Sequence, residues 1–384
     1  MTQFTDNDLV QIRRQLHQIP ELALHEARTH ELLLQIVKSF NQRYLTIRTI
    51  PELPTALLIR VQGSASQRII GYRADIDALP VTEKTGLPYA SKFSGKMHAC
   101  GHDFHMTVAL GILNYFSEHQ PKDDLLFFFQ PAEEQDYGGK RAFDHKVFTG
   151  KWCPTEFYGL HVNPELPAGA IGCRQGTLFA GTTEFDLTLH GKQGHAAFPH
   201  RANDMVVAMA AFIMQAQTIV ARNIDPLKSG VVTIGNATAG TIRNVIAGTA
   251  RITGTIRGLT QETILQIKQR LQAISDGIAT SFNCTADLTM HQGGYLPVVN
   301  DKQLTARFIK YMKSNPAITF IPTSPAMTGE DFGFLLSKFP GTMFWLGVGT
   351  DASLHSAEFA PNEAALSAGM NAMVNFLITR MEEN

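Results

Sequence analysis

The 384-residue sequence lacks the features that mark membrane-spanning, secreted and nucleic-acid-binding proteins. Its longest uninterrupted apolar run, residues 205–214, has ten residues, whereas a membrane-spanning helix needs roughly 20. The formal net charge is −1, which leaves no basic excess to attract nucleic acid or an anionic membrane. The amino terminus has neither a basic start nor an apolar stretch, so no secretory signal is expected. We therefore expect a cytoplasmic protein that acts on a small molecule, with no nucleic-acid or membrane partner.

Cysteine is also scarce, and its four residues, Cys100, Cys153, Cys173 and Cys284, show no close pair spacing. With 44% hydrophobic residues the chain can bury a large core, so disulfides are neither needed nor expected. A lone cysteine is usually a small buried apolar residue, which is our interpretation of the last three. Cys100 differs because histidines flank it in the sequence.

The apolar pattern of the first part of the chain predicts an α/β fold. Helical periodicity runs through most of the first forty residues, interrupted at Pro20. Short, nearly continuous apolar runs follow at 56–61, 69–73 and 125–129, and such runs are typical of buried central strands. An apolar helix is expected at about 104–116. Polar motifs follow directly after the second and third runs, where open α/β sheets bind their ligands.

Four places along the chain carry side chains that coordinate a divalent transition metal: Cys100 with His102, the pair Glu133 and Glu134, His161, and His355. The single glycine between Cys100 and His102 allows a backbone turn tight enough for both side chains to face one ion. Any one of these residues alone would more often be structural, but together they predict a metal-dependent hydrolase. A cysteine-nucleophile hydrolase and a binding protein without turnover are the alternatives.

The adjacent carboxylates Glu133 and Glu134 end an apolar strand, where they would repel each other and lose hydration without a cation. A metal resolves this conflict if one carboxylate binds it and the other takes a proton from the attacking water. The spacing alone permits either assignment. Asp75 and Asp77 alternate by two after another strand and so point toward the same edge, where they could support a ligand, bind the metal or cap a turn.

Residues 177–293 follow a different pattern, with strands and helices in the order β-α-β-β-α-β, which is the ferredoxin-like arrangement. This block lies between His161 and His355, although one metal site would need both. We therefore expect an inserted domain at 177–293 and a metal-binding catalytic domain formed by residues 1–176 and 294–384.

The motif series resembles that of the M20 metallopeptidases, in the amidohydrolase branch that holds hippurate and auxin-conjugate hydrolases. The segments that carry this resemblance are 97–105, 130–134, 159–161, 194–200, 329–332 and 354–356. They span nearly the whole chain. The resemblance implies a zinc-peptidase-like catalytic domain with an inserted ferredoxin-like (βαββαβ) lid that dimerises, and hence a homodimer.

Within the catalytic domain, the resemblance implies a set of metal ligands: Cys100, His102, Glu134, His161 and His355. It assigns Glu133 as the general base. Asp75 stands where the family usually has its first metal ligand, a histidine, and Asp77 stands at the position of the family's catalytic aspartate. Asp75 is therefore a catalytic candidate, and which of the two aspartates supports the metal is left open.

Within the lid, the resemblance makes His195 the histidine that crosses a dimer interface and stabilises the oxyanion. Asn244 and Arg257 correspond to groups that hold the carboxylate of an N-acyl amino acid substrate. The segments at 326–333 and 343–347 narrow the expected reaction to removal of acetate from N-acetyl-LL-diaminopimelate in lysine synthesis. Hippurate or a general N-acyl amino acid is the alternative substrate. We expect two divalent ions per site, chosen among Zn, Co, Ni and Mn.

Overall fold

The computed structural model describes residues 4–383. Contacts within the described chain divide it into two compact units. The first unit consists of residues 4–178, Val298–Ser324 and 331–383. The inserted unit consists of Phe179–Pro297 together with Pro325–Glu330. The short second segment of the inserted unit was not anticipated, because the sequence pattern suggested one continuous insertion.

The first unit alternates helices and strands. In chain order they are α1 (Asp6–His17), α2 (Ala27–Lys38), β1 (Leu45–Thr49), β2 (Leu57–Val61), β3 (Ile69–Asp75), α3 (His102–Glu118), β4 (Asp124–Gln130), α4 (Gly138–Asp144), β5 (Glu156–Asn163), β6 (Ile171–Cys173) and β7 (Gly176–Phe179), which reaches the boundary. After the insertion come β14 (Val298–Asn300), α8 (Lys302–Ser314), β15 (Phe320–Pro322), α9 (Phe332–Leu336), β16 (Gly341–Gly347) and α10 (Ala365–Glu382).

An eight-stranded mixed sheet forms the centre of the first unit, in the order β1-β2-β4-β3-β5-β16-β6-β15. Its four middle strands, β4, β3, β5 and β16, are mutually parallel. Every residue of β4 is buried, in keeping with its continuous apolar run. Helices α1, α3 and α10 pack against one another, with α3 buried along most of its length. The parallel strands therefore end together at one edge, and that edge carries the predicted motifs.

The inserted unit contains an antiparallel sheet with helices on one face. Its elements are β8 (Gly181–His190), β9 (Gly194–His195), α5 (Met205–Ala216), α6 (Thr218–Asn223), β10 (Gly230–Ala239), β11 (Val245–Ile246), β12 (Thr249–Gly258), α7 (Gln261–Ser281) and β13 (Thr285–His291). The main sheet has the order β10-β12-β8-β13, and α5 and α7 pack on it. On β8, Phe185, Leu187 and Leu189 are buried while Glu184 and Asp186 are exposed. The ferredoxin-like prediction is confirmed.

The apolar helical stretch Met205–Asn223 is long and apolar enough to cross a membrane by length and composition, and 28% of it is buried. It is longer than the run counted in the sequence because helix continues through polar residues. The buried side of α5 includes Met205 and Phe212, which pack in the core of the inserted unit beside the sheet. Such packing is typical of the core helix of an α+β domain.

Candidate metal centre

The candidate ligands are positioned by strand ends and by one helix start. Asp75 is the last residue of β3, and Glu133 and Glu134 follow shortly after β4. His161 lies near the end of β5, and His102 is the first residue of α3. Since β4, β3 and β5 are neighbours in the sheet, their carboxyl ends bring these side chains together.

The turn between Cys100 and His102 depends on Gly101, whose φ is +82°. A side chain there would be strained in this left-handed conformation and would also meet Val162, because an added Cβ lies 2.5 Å from its Cγ2. Gly101 is the N-cap residue of α3 and provides no side-chain cap. Glycine is therefore what allows the thiol and the imidazole to face the same space.

The five predicted ligands meet in two groups of three that share Cys100. One group is Cys100, His102 and His161, and the other is Cys100, Glu134 and His355; in each, the potential ligand atoms lie within 4.8 Å of one another. The Cys100 Sγ is 3.4 Å from His161 Nε2. Glu134 Oε1 lies 3.8 Å from His102 Nε2 and 3.6 Å from His355 Nε2. The structure thus brings all five side chains to one place.

Several atoms at this place are buried without a hydrogen-bond partner within residues 4–383: Asp77 Oδ1, His102 Nε2 and Glu134 Oε1. Leaving such a group unsatisfied costs about 1–3 kcal/mol, so their concentration at one site calls for a ligand. A thiol, three imidazoles and a carboxylate suit a divalent first-row transition metal. The residues present therefore fit a metal centre.

The electrostatics of the ligands in the metal-free protein also fit a cation. Burial raises the pKa of the Glu134 carboxyl to about 7, although the neighbouring His102 opposes this effect. Burial and the carboxylates of Glu134 and Glu133 raise the pKa of the Cys100 thiol well above its ordinary value. Burial lowers the pKa of His102, but Asp75 and Asp77 outweigh it and raise the pKa to about 10. A divalent cation would reverse these preferences.

Asp75 and Asp77 both contact His102, from different sides. The Asp77 carbonyl accepts a hydrogen bond from His102 Nδ1 at 2.8 Å, and its carboxylate accepts one from the Glu134 amide at 2.9 Å. Asp75 accepts from Arg73 at 2.7 Å and pairs with His105 at 2.5 Å, while its Oδ2 lies 3.5 Å from His102 Nε2. Asp77 thus orients two candidate ligands directly, and Asp75 is already neutralised by its own partners.

Glu133 and Glu134 are held differently. The Oε1 of Glu133 accepts a hydrogen bond from the Asp331 amide at 3.2 Å, and its Oε2 lies 3.9 Å from His102 Nε2. Glu134 instead lies among the candidate ligands. Ala132, just before the pair, has a φ of +58°, and its amide donates to the buried carboxylate of Glu26 at 2.9 Å. This contact fixes the backbone from which both carboxylates extend.

A buried ionic network around Asp75 supports the site, and its other members had no assigned role in the sequence analysis. Arg73 is fully buried and donates to Gln130 at 3.0 Å and to Asp331 at 2.9 Å, in addition to Asp75. His105 Nε2 accepts from the amide of Val162, next to His161, at 3.0 Å. An arginine inside a buried strand requires a buried counter-ion. Arg73, in the apolar run at 69–73, therefore indicated from the sequence that such a network exists.

The residues predicted for the lid lie in the inserted unit. His195 is exposed on β9, which pairs with β11, and the carbonyl of Asn244 accepts from the amide of Ala196 at 3.1 Å. His195 and Asn244 are therefore neighbours. The guanidinium of Arg257 donates to the carbonyl of Met327 at 3.2 Å and so holds the second segment of the inserted unit. Substrate binding by Asn244 and Arg257 stays a prediction.

The chain is similar to known proteins over nearly its whole length. A sequence model of Peptidase family M20/M25/M40 matches residues 71–379. The chain is 63% identical over 382 residues to an N-acetyldiaminopimelate deacetylase of Lactobacillus helveticus (strain DPC 4571), covering 99% of this chain and 100% of that one. Its identity to the corresponding deacetylase of Pediococcus pentosaceus is 64%, over 98% of each chain. The crystal structure of Bacillus subtilis YxeP, a dinuclear metal-binding peptidase from the M20 family, superposes with a TM-score of 0.85 at 28% identity, covering 98% of both chains. The chain belongs to peptidase family M20/M25/M40.

Proposed function

We propose that this protein hydrolyses the acetyl amide of N-acetyl-LL-2,6-diaminopimelate, releasing LL-2,6-diaminopimelate and acetate in cytoplasmic lysine biosynthesis. The convergence of the five ligand side chains around Cys100 is the observation that supports hydrolysis at a metal centre. The substrate follows from relatives of 62–64% identity over nearly the whole chain that carry the deacetylase name. These relatives do not favour hippurate or a general N-acyl amino acid as the substrate.

The surroundings of Cys100 are unfavourable for a nucleophilic cysteine. A thiol attacks as the thiolate, and reactive cysteines have lowered pKa values. Burial and the carboxylates around Cys100 raise its pKa instead. The thiol is therefore suited to binding a cation, which would stabilise the thiolate, and not to acyl transfer.

In this proposal Cys100, His102, Glu134, His161 and His355 would hold two divalent ions. The ions, of zinc, cobalt, nickel or manganese, would supply Lewis acidity and lower the pKa of water. Glu133 takes the proton of the attacking water and returns it to the leaving amine. The Asp331 amide orients Glu133 for this role. Asp77 orients His102 through its Nδ1, and Asp75 lies on the Nε2 side of His102 as part of the Arg73 network.

The inserted unit would complete the site by dimerisation. Val206, Val207 and Met214 of α5 are 44%, 52% and 71% exposed, and exposed apolar side chains of this kind are typical of a protein interface. We assign this face to contact with a second copy of the chain. His195 would then stabilise the developing oxyanion in the partner's site, and Asn244 and Arg257 would bind the substrate α-carboxylate.

The experiment is to compare kcat/KM for N-acetyl-LL-diaminopimelate, hippurate and N-acetylmethionine with one metal at one concentration, by release of acetate or benzoate. We expect the diaminopimelate derivative to be preferred by at least tenfold, about 1.4 kcal/mol of transition-state discrimination. A tenfold preference for hippurate would contradict the proposed substrate and leave the metal-dependent hydrolase intact. Activity that survives a chelator, with metal loss verified by elemental analysis, would contradict the metal centre itself.

A further inference from the structure

A second buried cluster of charged side chains lies beside the metal centre and includes none of its candidate ligands. It consists of Arg13 and His17 on α1, Asp103 on α3, Glu83 and Glu363, and we call it the α1 anchor. Arg13, His17 and Asp103 are fully buried. His17 Nδ1 lies 2.7 Å from Asp103 Oδ2, and His17 Nε2 lies 3.2 Å from Glu83 Oε1. Arg13 Nε lies 2.9 Å from the same Asp103 oxygen, as an ion pair whose N–H is not well aimed.

Arg13 connects two chain segments that carry ligands. Its Nε pairs with Asp103, which directly follows His102, and its NH1 donates to Glu363 at 3.3 Å. Glu363 lies in the segment between His355 and α10. The amide of His355 donates to the carbonyl of Ala99 at 2.8 Å, so the two segments also touch at the ligands. Helix α1 therefore contacts both the start of α3 and the segment that follows His355.

The neighbouring Arg14 adds a second guanidinium to the anchor, because its NH2 lies 2.6 Å from Glu363 Oε2. Burial lowers the pKa of His17, but Asp103 and Glu83 outweigh it and raise the pKa. Arg13, Arg14 and the imidazole of His17 face the carboxylates of Asp103, Glu83 and Glu363. A buried ion pair is often no more stabilising than apolar packing would be, but displacing one partner leaves a buried charge uncompensated. The cluster is thus suited to fixing positions.

We infer that Arg13 and His17 are positioning residues of the metal centre, which act by fixing the backbone of Cys100 and His102 and the segment of His355. The inference rests on the metal centre of the proposed function and goes beyond its ligand set. Neither residue touches a candidate ligand side chain. The start of α3 has no side-chain cap, and Asp103 in its first turn contacts His17 and Arg13 of α1.

The test compares Arg13→Met and His17→Gln with a matched control, Arg380→Met. Arg380 also forms a buried ion pair in the first unit, with Glu156 at 2.8 Å, but Glu156 begins β5 while His161 lies near its end. Metal affinity is measured on the folded proteins by competition with a fluorescent zinc chelator, and stability by urea unfolding without metal. We expect both anchor variants to lose at least tenfold in zinc affinity, and the control to lose stability while binding zinc within twofold of wild type.

Two further variants keep the inference testable if Arg13→Met does not fold. Arg13→Lys keeps the charge but cannot reach Asp103 and Glu363 together, so its zinc affinity should lie between those of wild type and Arg13→Met. Glu363→Gln should weaken zinc binding through the His355 segment alone. Equal zinc affinity in wild type and all anchor variants would overturn the inference, as would equal weakening by Arg380→Met. These measurements need no substrate, so a wrong substrate assignment would leave their result unchanged.

Discussion

Glu133 and Glu134 are neighbours in the sequence, yet their carboxylates have different surroundings. Glu134 lies within 4 Å of two imidazoles of the ligand set, whereas an oxygen of Glu133 is held by the Asp331 amide. A carboxylate among ligands is suited to bind metal, and one held beside them is suited to move a proton. At the scale of single residues, the site therefore distinguishes two chemically identical side chains by position alone.

This difference leads to a first prediction. Glu133→Gln should retain metal and lose about 10²–10⁴-fold in kcat, because a general base is removed and no ligand is lost. Cys100→Ala should lose metal, because the removed thiolate belongs to both ligand groups. Elemental analysis and steady-state kinetics on the same preparations measure both effects. The roles would be reversed if Glu134→Gln abolished turnover with metal intact while Glu133→Gln stayed active.

The sequence indicated which residues lie at the candidate site, but not which residues they contact. Cysteine, histidine and glutamate are residue types that bind metal, and the family resemblance indicated which of them would be ligands. The structure brings these five side chains together. The role of Asp77 depends on contacts with His102 and with the Glu134 amide, which lies far away in the sequence. Likewise the sequence shows that Arg73 needs a counter-ion, but Asp331 is brought to it only by the fold. Long-range pairing of this kind leaves no local pattern.

At the scale of elements, the turn into α3 makes a specific demand on Gly101. Gly101→Ala should destabilise the metal-free protein by about 2–5 kcal/mol, from about 1–2 for the left-handed backbone and 1–3 for the overlap with Val162. Gly95→Ala is the matched control, because Gly95 has a φ of +78° and nothing within 4 Å of an added Cβ. Urea unfolding measures both variants. Equal losses in the two would show that the overlap with Val162 is relieved without cost.

Element types were predicted correctly where periodicity was strong, and details were missed where tertiary contacts decide. The α/β order and the ferredoxin-like block followed from apolar spacing. Helix α3 begins at His102, two residues before the predicted start, because Gly101 sets its N-cap. Strands β9 and β11 pair over only two residues each and show no apolar periodicity, yet this pairing positions His195. The segment Pro325–Glu330 joins the inserted unit by contacts that no local pattern encodes.

At the scale of the whole molecule, stability should depend on pH more strongly without metal at the site than with it. In the metal-free protein the pKa of His102 is raised to about 10, and that of Cys100 is raised well above its ordinary value. The folded state therefore holds more protons than the unfolded state above about pH 7, so its stability falls as pH rises from about 7 to 10. A bound metal requires these ligands to be deprotonated. With metal, the loss of stability between pH 7 and 10 should therefore be smaller, and metal affinity should rise with pH.

Thermal unfolding across this pH range, with and without zinc, measures the effect. Cys173 provides the control, because burial raises its pKa to about 12 and it lies outside the ligand set. Cys173→Ala should reduce the pH dependence by the same amount with and without zinc. A metal-free protein whose stability rises between pH 7 and 10 would contradict the charge arrangement described for the site.

Assembly of the whole molecule gives the last prediction. His195 lies in the inserted unit, all five candidate ligands lie in the first unit, and α5 exposes an apolar face. If each site uses His195 of the other subunit, His195→Ala and Glu133→Gln should each be nearly inactive alone. After subunit exchange, one of the two sites in a heterodimer would contain both intact groups, so about half of wild-type activity per heterodimer should return. Native mass spectrometry verifies the heterodimer, and verified heterodimers without activity would show that His195 does not serve its partner's site.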